Sequence, residues 1–211
     1  SYRYQESLNE QMAVSRLIAG KLPVTLTLAG LSLLLIIIFS IPIGILWGGT
    51  KSRAVDGVLN VLSQFTMSVP SFFLGIIIIY LFGLVMKWFT PGGYISYRED
   101  FFGYIRYMLF PAVTVALPKT AMTAKFLRNS IITQLKSDYV RTAYSKGAQR
   151  KRVLFVHVLK NAMIPVVTFI GIIAAEIAAG SIVVEQVFGL PGIGRLLVSS
   201  ISTRDYPVVQ A

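Results

Sequence analysis

Few side chains in this 211-residue sequence are of a type and placement that could handle protons or ions in an apolar setting. Glu176 is the one charge in the stretch 161–184, and Lys119 follows Pro118 inside the apolar stretch 107–127. Ionisable groups so placed mark a pathway, a proton relay or an ion pair. At similar depth Lys119 and Glu176 would pair, and a structural pair or a partner contact is favoured over a substrate ligand. Pro111 and Pro118 each free a backbone carbonyl, which suits a bent helix lining a cavity or a kink made for packing. Little else supports catalysis. There is no Cys, which removes disulfides, thiolate metal sites and Cys nucleophiles, and the single His, His157, excludes a histidine-rich metal centre. The patterns HExxH, GxSxG and GxxxxGK followed by Ser or Thr are absent, and no span carries a carboxylate pair. An intramembrane enzyme is therefore set aside.

The elements that hold these residues are defined by where charge is missing. Charged residues make up 14% of the chain and apolar ones 55%, against about 25% charged in a soluble domain. Lys21 and Lys51 bracket 29 uncharged residues, and Asp56 and Lys87 bracket 30; about 20 apolar residues cross a hydrocarbon core as a helix. The pattern predicts an all-α polytopic bundle with spans at 22–47, 57–86, 107–127 and 161–184. The second would reach about 45 Å, so it should tilt or kink, with Pro70 as the kink. Residues 1–21 are polar and amphipathic, without the apolar core of a signal peptide. Residues 185–206 carry the turn-rich GLPGIG and then RLLVSSISTR, which reads as a short helix; a further span starts at 207. Gly171, Gly180, Ala174, Ala175, Ala178 and Ala179 form a small-residue face suited to close packing against another subunit.

Sidedness follows the Lys/Arg balance of the loops. Between Ala124 and Val153 stand eight basic residues against the single acid Asp138, whereas 87–106 holds three against two. The first loop is thus expected inside, with 48–56, and 87–106 outside, with 1–21 and 185–206. An outward N-terminal segment implies a preceding span, so both ends read as truncated. The net charge of +11 sits largely in the inner loop, which sets nucleic-acid binding aside.

That loop, 137–152, predicts a helix over 138–146. Ser137 or Asp138 caps it, and Gly147 suits the left-handed position that ends it. Tyr139, Val140 and Ala143 give an apolar face, flanked by Arg141 and Lys146. Such a helix either lies on lipid or docks in a groove of a cytoplasmic partner; periodicity leaves both open. Arg150, Lys151 and Arg152 read as topology determinants and lipid-headgroup contacts.

Arg141-Thr142-Ala143, three further residues and Gly147 resemble the Glu-Ala-Ala loop of binding-protein-dependent ABC importer permeases. His157-Val158-Leu159-Lys160-Asn161-Ala162-Met163-Ile164-Pro165 resembles the run found in the dipeptide/oligopeptide/nickel subfamily, in its first-permease type. Glu185 with VFGLPGIGR, Arg204-Asp205-Tyr206-Pro207 and Leu22-Pro23-Val24-Thr25-Leu26 are similar too, so the resemblance covers 22–211. Three departures stand out. Arg141 occupies the place of the general motif's Glu. Pro165 falls eighteen residues after Gly147, later than that motif's Leu-Pro. Four spans and the start of another are seen where the family has six.

The resemblance implies a transmembrane domain forming half of a translocation pathway in a bacterial inner membrane. It implies a coupling helix with Tyr139, Arg141, Thr142, Ala143, Lys146 and Gly147 as ATPase-docking residues, and His157, Asn161, Ala162 and Pro165 as motif positions. The implied partners are a second homologous permease subunit, two cytoplasmic ATPase subunits that hydrolyse ATP, a periplasmic or lipid-anchored substrate-binding protein, and membrane lipid. No cofactor or metal is expected on this chain, and the cargo would be dipeptides, oligopeptides, nickel or related solutes. The alternative is an ion-coupled secondary transporter using Glu176, which leaves the 138–147 helix without a task.

Overall fold

The structure, a computed structural model, describes residues 2–210; side chains are described from residue 14 onward, except at 178–180 and 207. Among the described residues there are helices and turns and no strand. Helix α1 runs Tyr2–Gly49, α2 Arg53–Ser68, and α3 Ser71–Ile78 continues as π-helical turns over Ile79–Val85. Helix α4 spans Phe101–Leu135 and α5 Asp138–Ser145; α6, Arg150–Arg152, passes through π turns Val153–Val158 into α7, Leu159–Gly180. Three short helices follow: α8 Ile182–Phe188, α9 Ile193–Thr203 and α10 Tyr206–Gln210. Among the described residues three helical stretches are long and apolar enough to cross a membrane: Val14–Gly49, Phe101–Leu135 and Arg150–Ile177.

Four boundaries depart from the sequence reading, each for a local reason. The helix of the first span reaches back to Tyr2 through the segment expected as a separate element, although the side chains of 1–13 lie outside the described residues. The second span is not one kinked helix: α2 and α3 meet at 94°. Pro70 drives Val69 out of the helical region, to φ −81°, ψ 123°, as a residue before proline must go. The third helix begins at Phe101, where Asp100 accepts the Gly103 N–H at 3.0 Å and caps it, and it continues unbroken past Pro111 and Pro118 to Leu135. The fourth stretch starts at Arg150 and ends at Gly180, so that 182–184 belong to α8, which meets α9 at 89°.

The chain forms two compact units. The first comprises residues 1–32, 71–115 and 177–211. Its core holds Leu28, Tyr104, Met108, Ala112, Phe188 and Leu190. Phe89 stacks on Phe110 at 4.2 Å between ring centroids and meets Tyr107 edge-on at 5.6 Å. The Tyr107 hydroxyl donates to the Phe188 carbonyl at 3.0 Å, which satisfies the polar end of a buried aromatic.

The second unit comprises 33–70 and 116–176, with Leu127, Ile131, Val140, Val153, Val158, Ala162 and Val166 as its core. Within it α1 and α4 run parallel and close: a Cβ at Gly44 would come within 2.8 Å of the Leu127 side chain, and one at Gly48 within 2.9 Å of Ile131. This is a small-xxx-small contact of the kind that brings membrane helices together. The corner between α1 and α2 is held by Asp56, whose Oδ1 accepts from Trp47 Nε1 at 2.7 Å and from Arg128 Nη2 at 2.6 Å. From the end of the π turns into α7 this core takes Val158, Ala162 and Val166, the four-residue step of an α-helix, but Val153 is five before Val158. The π turns between them supply that extra residue and so keep Val153 on the core side.

Candidate functional site

Helix α5 is a short amphipathic element between two long ones, and its ends are fixed by backbone chemistry. Ser137 occupies the N-cap position in an extended conformation, φ −74°, ψ 151°, without a side-chain cap, and Asp138 places a carboxylate in the first turn. At the other end Gly147 takes φ +79°, which costs any other residue about 1 kcal/mol or more. The Ala148 N–H bonds the Ala143 carbonyl at 3.1 Å and the Gly147 N–H the Tyr144 carbonyl at 2.9 Å, completing a Schellman termination. The helix ends at Ser145 with Lys146 as its cap, one residue before the predicted end.

One residue seats α5. Val140 is 1% exposed within the second unit's core, with Ala143 and Ala148 packed alongside; such burial contributes about 1.5–3 kcal/mol. Tyr139 does not share that face. It is exposed, and its hydroxyl donates to Gln134 Oε1 at 2.8 Å, because one residue before Val140 lies a hundred degrees around the helix. Arg141 is also exposed, 3.7 Å from Asp138, and Thr142, Lys146 and Gly147 are exposed as well. The face turned away from the core is thus polar and basic.

The loop's other cations divide. Arg150, read from sequence as a topology or headgroup residue, instead donates from Nη2 to the Gly49 carbonyl at 2.6 Å. It caps the C-terminus of α1, where carbonyls lack helical partners and a positive charge is favoured. Lys151 and Arg152 are exposed. Among the motif positions, Ala162 is fully buried and its carbonyl accepts from Ser130 Oγ at 2.9 Å, so it is where α7 meets α4. Asn161 Nδ2 lies 3.4 Å from the His157 carbonyl, and Pro165 is exposed.

Lys119 and Glu176 are brought together as an ion pair, with side chains 28% and 49% exposed. The pair lies at the second unit's surface and not in its core. Of the small-residue face, Gly171 and Ala175 are exposed and Ala174 half-buried; Ala178, Ala179 and Gly180 continue α7, with their side-chain surroundings outside the description.

Sequence reasoning noted Glu185 only as part of a motif. It is fully buried and organises the first unit's bent pair. Its Oε1 accepts from Thr25 Oγ1 at 2.8 Å and Ser181 Oγ at 3.2 Å, and its Oε2 accepts the Arg195 N–H at 3.1 Å. Thr25 Oγ1 in turn accepts the Ile193 N–H at 2.9 Å. The carboxyl group thus caps the start of α9 while tying it to α1 and α8. A Cβ at Gly192 would collide with it, which is why glycine stands there. An acid in the run IVVEQVF just before a glycine-rich turn was the available signal.

Long apolar helices, two sharply bent pairs and a small amphipathic helix seated by a single valine define a multi-pass membrane protein. Residues 40–211 match the binding-protein-dependent transport system inner membrane component family. The chain belongs to that family and is an inner-membrane component. It is 40% identical over 202 residues to a Brucella abortus protein named as a peptide transport system permease, covering 93% of this chain and 63% of that protein. It is 37% identical over 200 residues to the oligopeptide transport system permease protein AppB of Bacillus subtilis, covering 94% and 63% respectively. The chain therefore spans less than two thirds of the length of these relatives.

Proposed function

We propose that the chain is the permease core of an ATP-driven importer whose cargo is peptide, and that α5 is the part a cytoplasmic ATPase grips. The observation that carries this is the construction of α5. It is held to its own unit through Val140 and ended by an obligatory glycine turn at Gly147, and it leaves Tyr139, Arg141, Thr142 and Lys146 exposed. A helix with no further contact to make would not need so defined an end. The names of the Brucella and Bacillus relatives support peptide as the cargo class; nothing comparable supports nickel. A second permease subunit, two ATPase subunits and a substrate-binding protein complete the assembly in this reading.

Ion-coupled transport through Glu176 is disfavoured because Lys119 already pairs with that carboxylate. The test is co-purification in detergent. Arg141→Glu inverts the charge of the exposed face without touching Val140, and it should abolish recovery of ATPase subunits while the permease elutes normally on size exclusion. Undiminished ATPase recovery would remove α5 as the docking element.

A further inference from the structure

Lys125 is a half-buried cation inside a membrane-crossing helix, and its own unit has no acid left for it. The second unit holds three acids, each already paired: Asp56 with Arg128, Asp138 with Arg141 and Glu176 with Lys119. Among the described residues the Lys125 ammonium donates to the neutral Gln64 Oε1, at 3.2 Å, which leaves two of its three donors unused. Its depth follows from the packing of α1 on α4. Gly44 faces Leu127 and Gly48 faces Ile131, so Lys125 stands level with residue 42. That is about 13 Å along α1 from Lys51, the next cation. The unit's other cations without an acid lie in the inner loops or nearer the inner end. Lys160, for example, precedes Ala162, whose carbonyl takes the Ser130 hydroxyl, so it lies inward of residue 130.

Helix α2 separates the surroundings of this cation from lipid. Val58, Leu62 and Phe65 are exposed on one of its sides. Asp56, Asn60, Gln64 and Ser68 follow one another at the four-residue step on another side. Gln64 and Ser68 are exposed there, as is Asn129, one turn beyond Lys125 on α4. A charge facing hydrocarbon is costly, so hydrocarbon takes the apolar side, and water or protein takes the polar one.

We propose that this polar side is a wall of the translocation path and that Lys125 receives the C-terminal carboxylate of a peptide in transit. A carboxylate brings both the missing negative charge and acceptors for the two unused donors. The Gln64 and Asn129 amides beside it offer donors and acceptors to the peptide's own backbone. A permanent protein contact closing over Lys125 would strip water from an ammonium that has no acid. A wet path strips it only while cargo is present. The proposal rests on the reading of this chain as part of a peptide importer.

The test uses the importer purified with its partner subunits, reconstituted in liposomes and supplied with its binding protein. Uptake of tri-alanine is compared with uptake of tri-alanine amide. Lys125→Gln should lower uptake of the free acid about tenfold relative to the amide, and Lys125→Arg should stay within about twofold of the parent. Lys160→Gln should change neither. Gln64→Glu, at an exposed position, supplies Lys125 with an acid of the chain's own and should likewise depress the free acid alone; it keeps the test open if Lys125→Gln does not elute as a folded complex. A Lys125→Cys variant of this cysteine-free chain should react with a small water-soluble methanethiosulfonate, read as added mass on this chain. Equal effects on acid and amide, or an unreactive thiol, overturn the proposal. Loss of the second permease subunit from Lys125→Gln on size exclusion also overturns it, and assigns the residue to an acid of that subunit. A parent importer that takes up neither peptide overturns the peptide reading and this proposal with it. Uptake that is indifferent to Lys125→Gln and Gln64→Glu overturns this proposal alone.

Discussion

Three residues carry most of what can be tested at the smallest scale. Glu185→Ala would leave two hydroxyls and the Arg195 N–H without their acceptor in a fully buried site. Each stranded donor costs about 1–3 kcal/mol, so a fall of several degrees in the melting temperature in detergent is expected, with faster proteolysis at the Gly189–Gly192 turn. Glu185→Gln keeps one carbonyl oxygen for Thr25 and Ser181, and its loss should be smaller; equal losses would show that the carboxyl group is not the cap. For the half-exposed pair, Lys119→Met or Glu176→Met alone leaves a charge in an apolar setting. The double variant should recover about 1 kcal/mol of stability relative to the sum of the two, whereas strict additivity would mean that the contact contributes nothing. The spacing of charges was enough to single out Lys119 and Glu176. Glu185 was not legible as a hub, because its main partner Thr25 lies 160 residues earlier in the chain and no local pattern announces it.

At the scale of elements, α5 was readable because its determinants are local: a cap position, the apolar pair Val140 and Ala143 three residues apart, and a glycine. The break at Val69–Pro70 was half readable. Proline marks the place, but whether a chain kinks or turns through 94° depends on what the following helix packs against. The π turns at Val153–Val158 were not readable, since one extra residue in a helix leaves no trace in hydropathy. They carry a sharp prediction. Deleting the exposed Phe155 should convert the turns to regular α-helix while leaving Val153 and Val158 both facing the core, so stability in detergent should change little. Deleting the exposed Val167 instead should rotate Ile173 and Ile177, both buried, out of register with Val166 and prevent recovery of folded protein. Comparable losses from the two deletions would refute the register argument.

For the whole molecule, charge asymmetry sets orientation. A cysteine placed by Gln149→Cys, in an otherwise cysteine-free chain, should react with a membrane-impermeant maleimide only when the cytoplasmic face is opened. Labelling from intact cells would invert the assignment. The loop that carries this position also leaves no slack. Only Lys136 and Ser137 separate α4 from α5, four residues separate α5 from α6, and the Arg150 guanidinium is fastened to the final carbonyl of α1. A tug on the little helix therefore reaches three long rods at their common end before any tether can stretch, and the second unit should answer such a force as a stiff crank and not as a loose hinge.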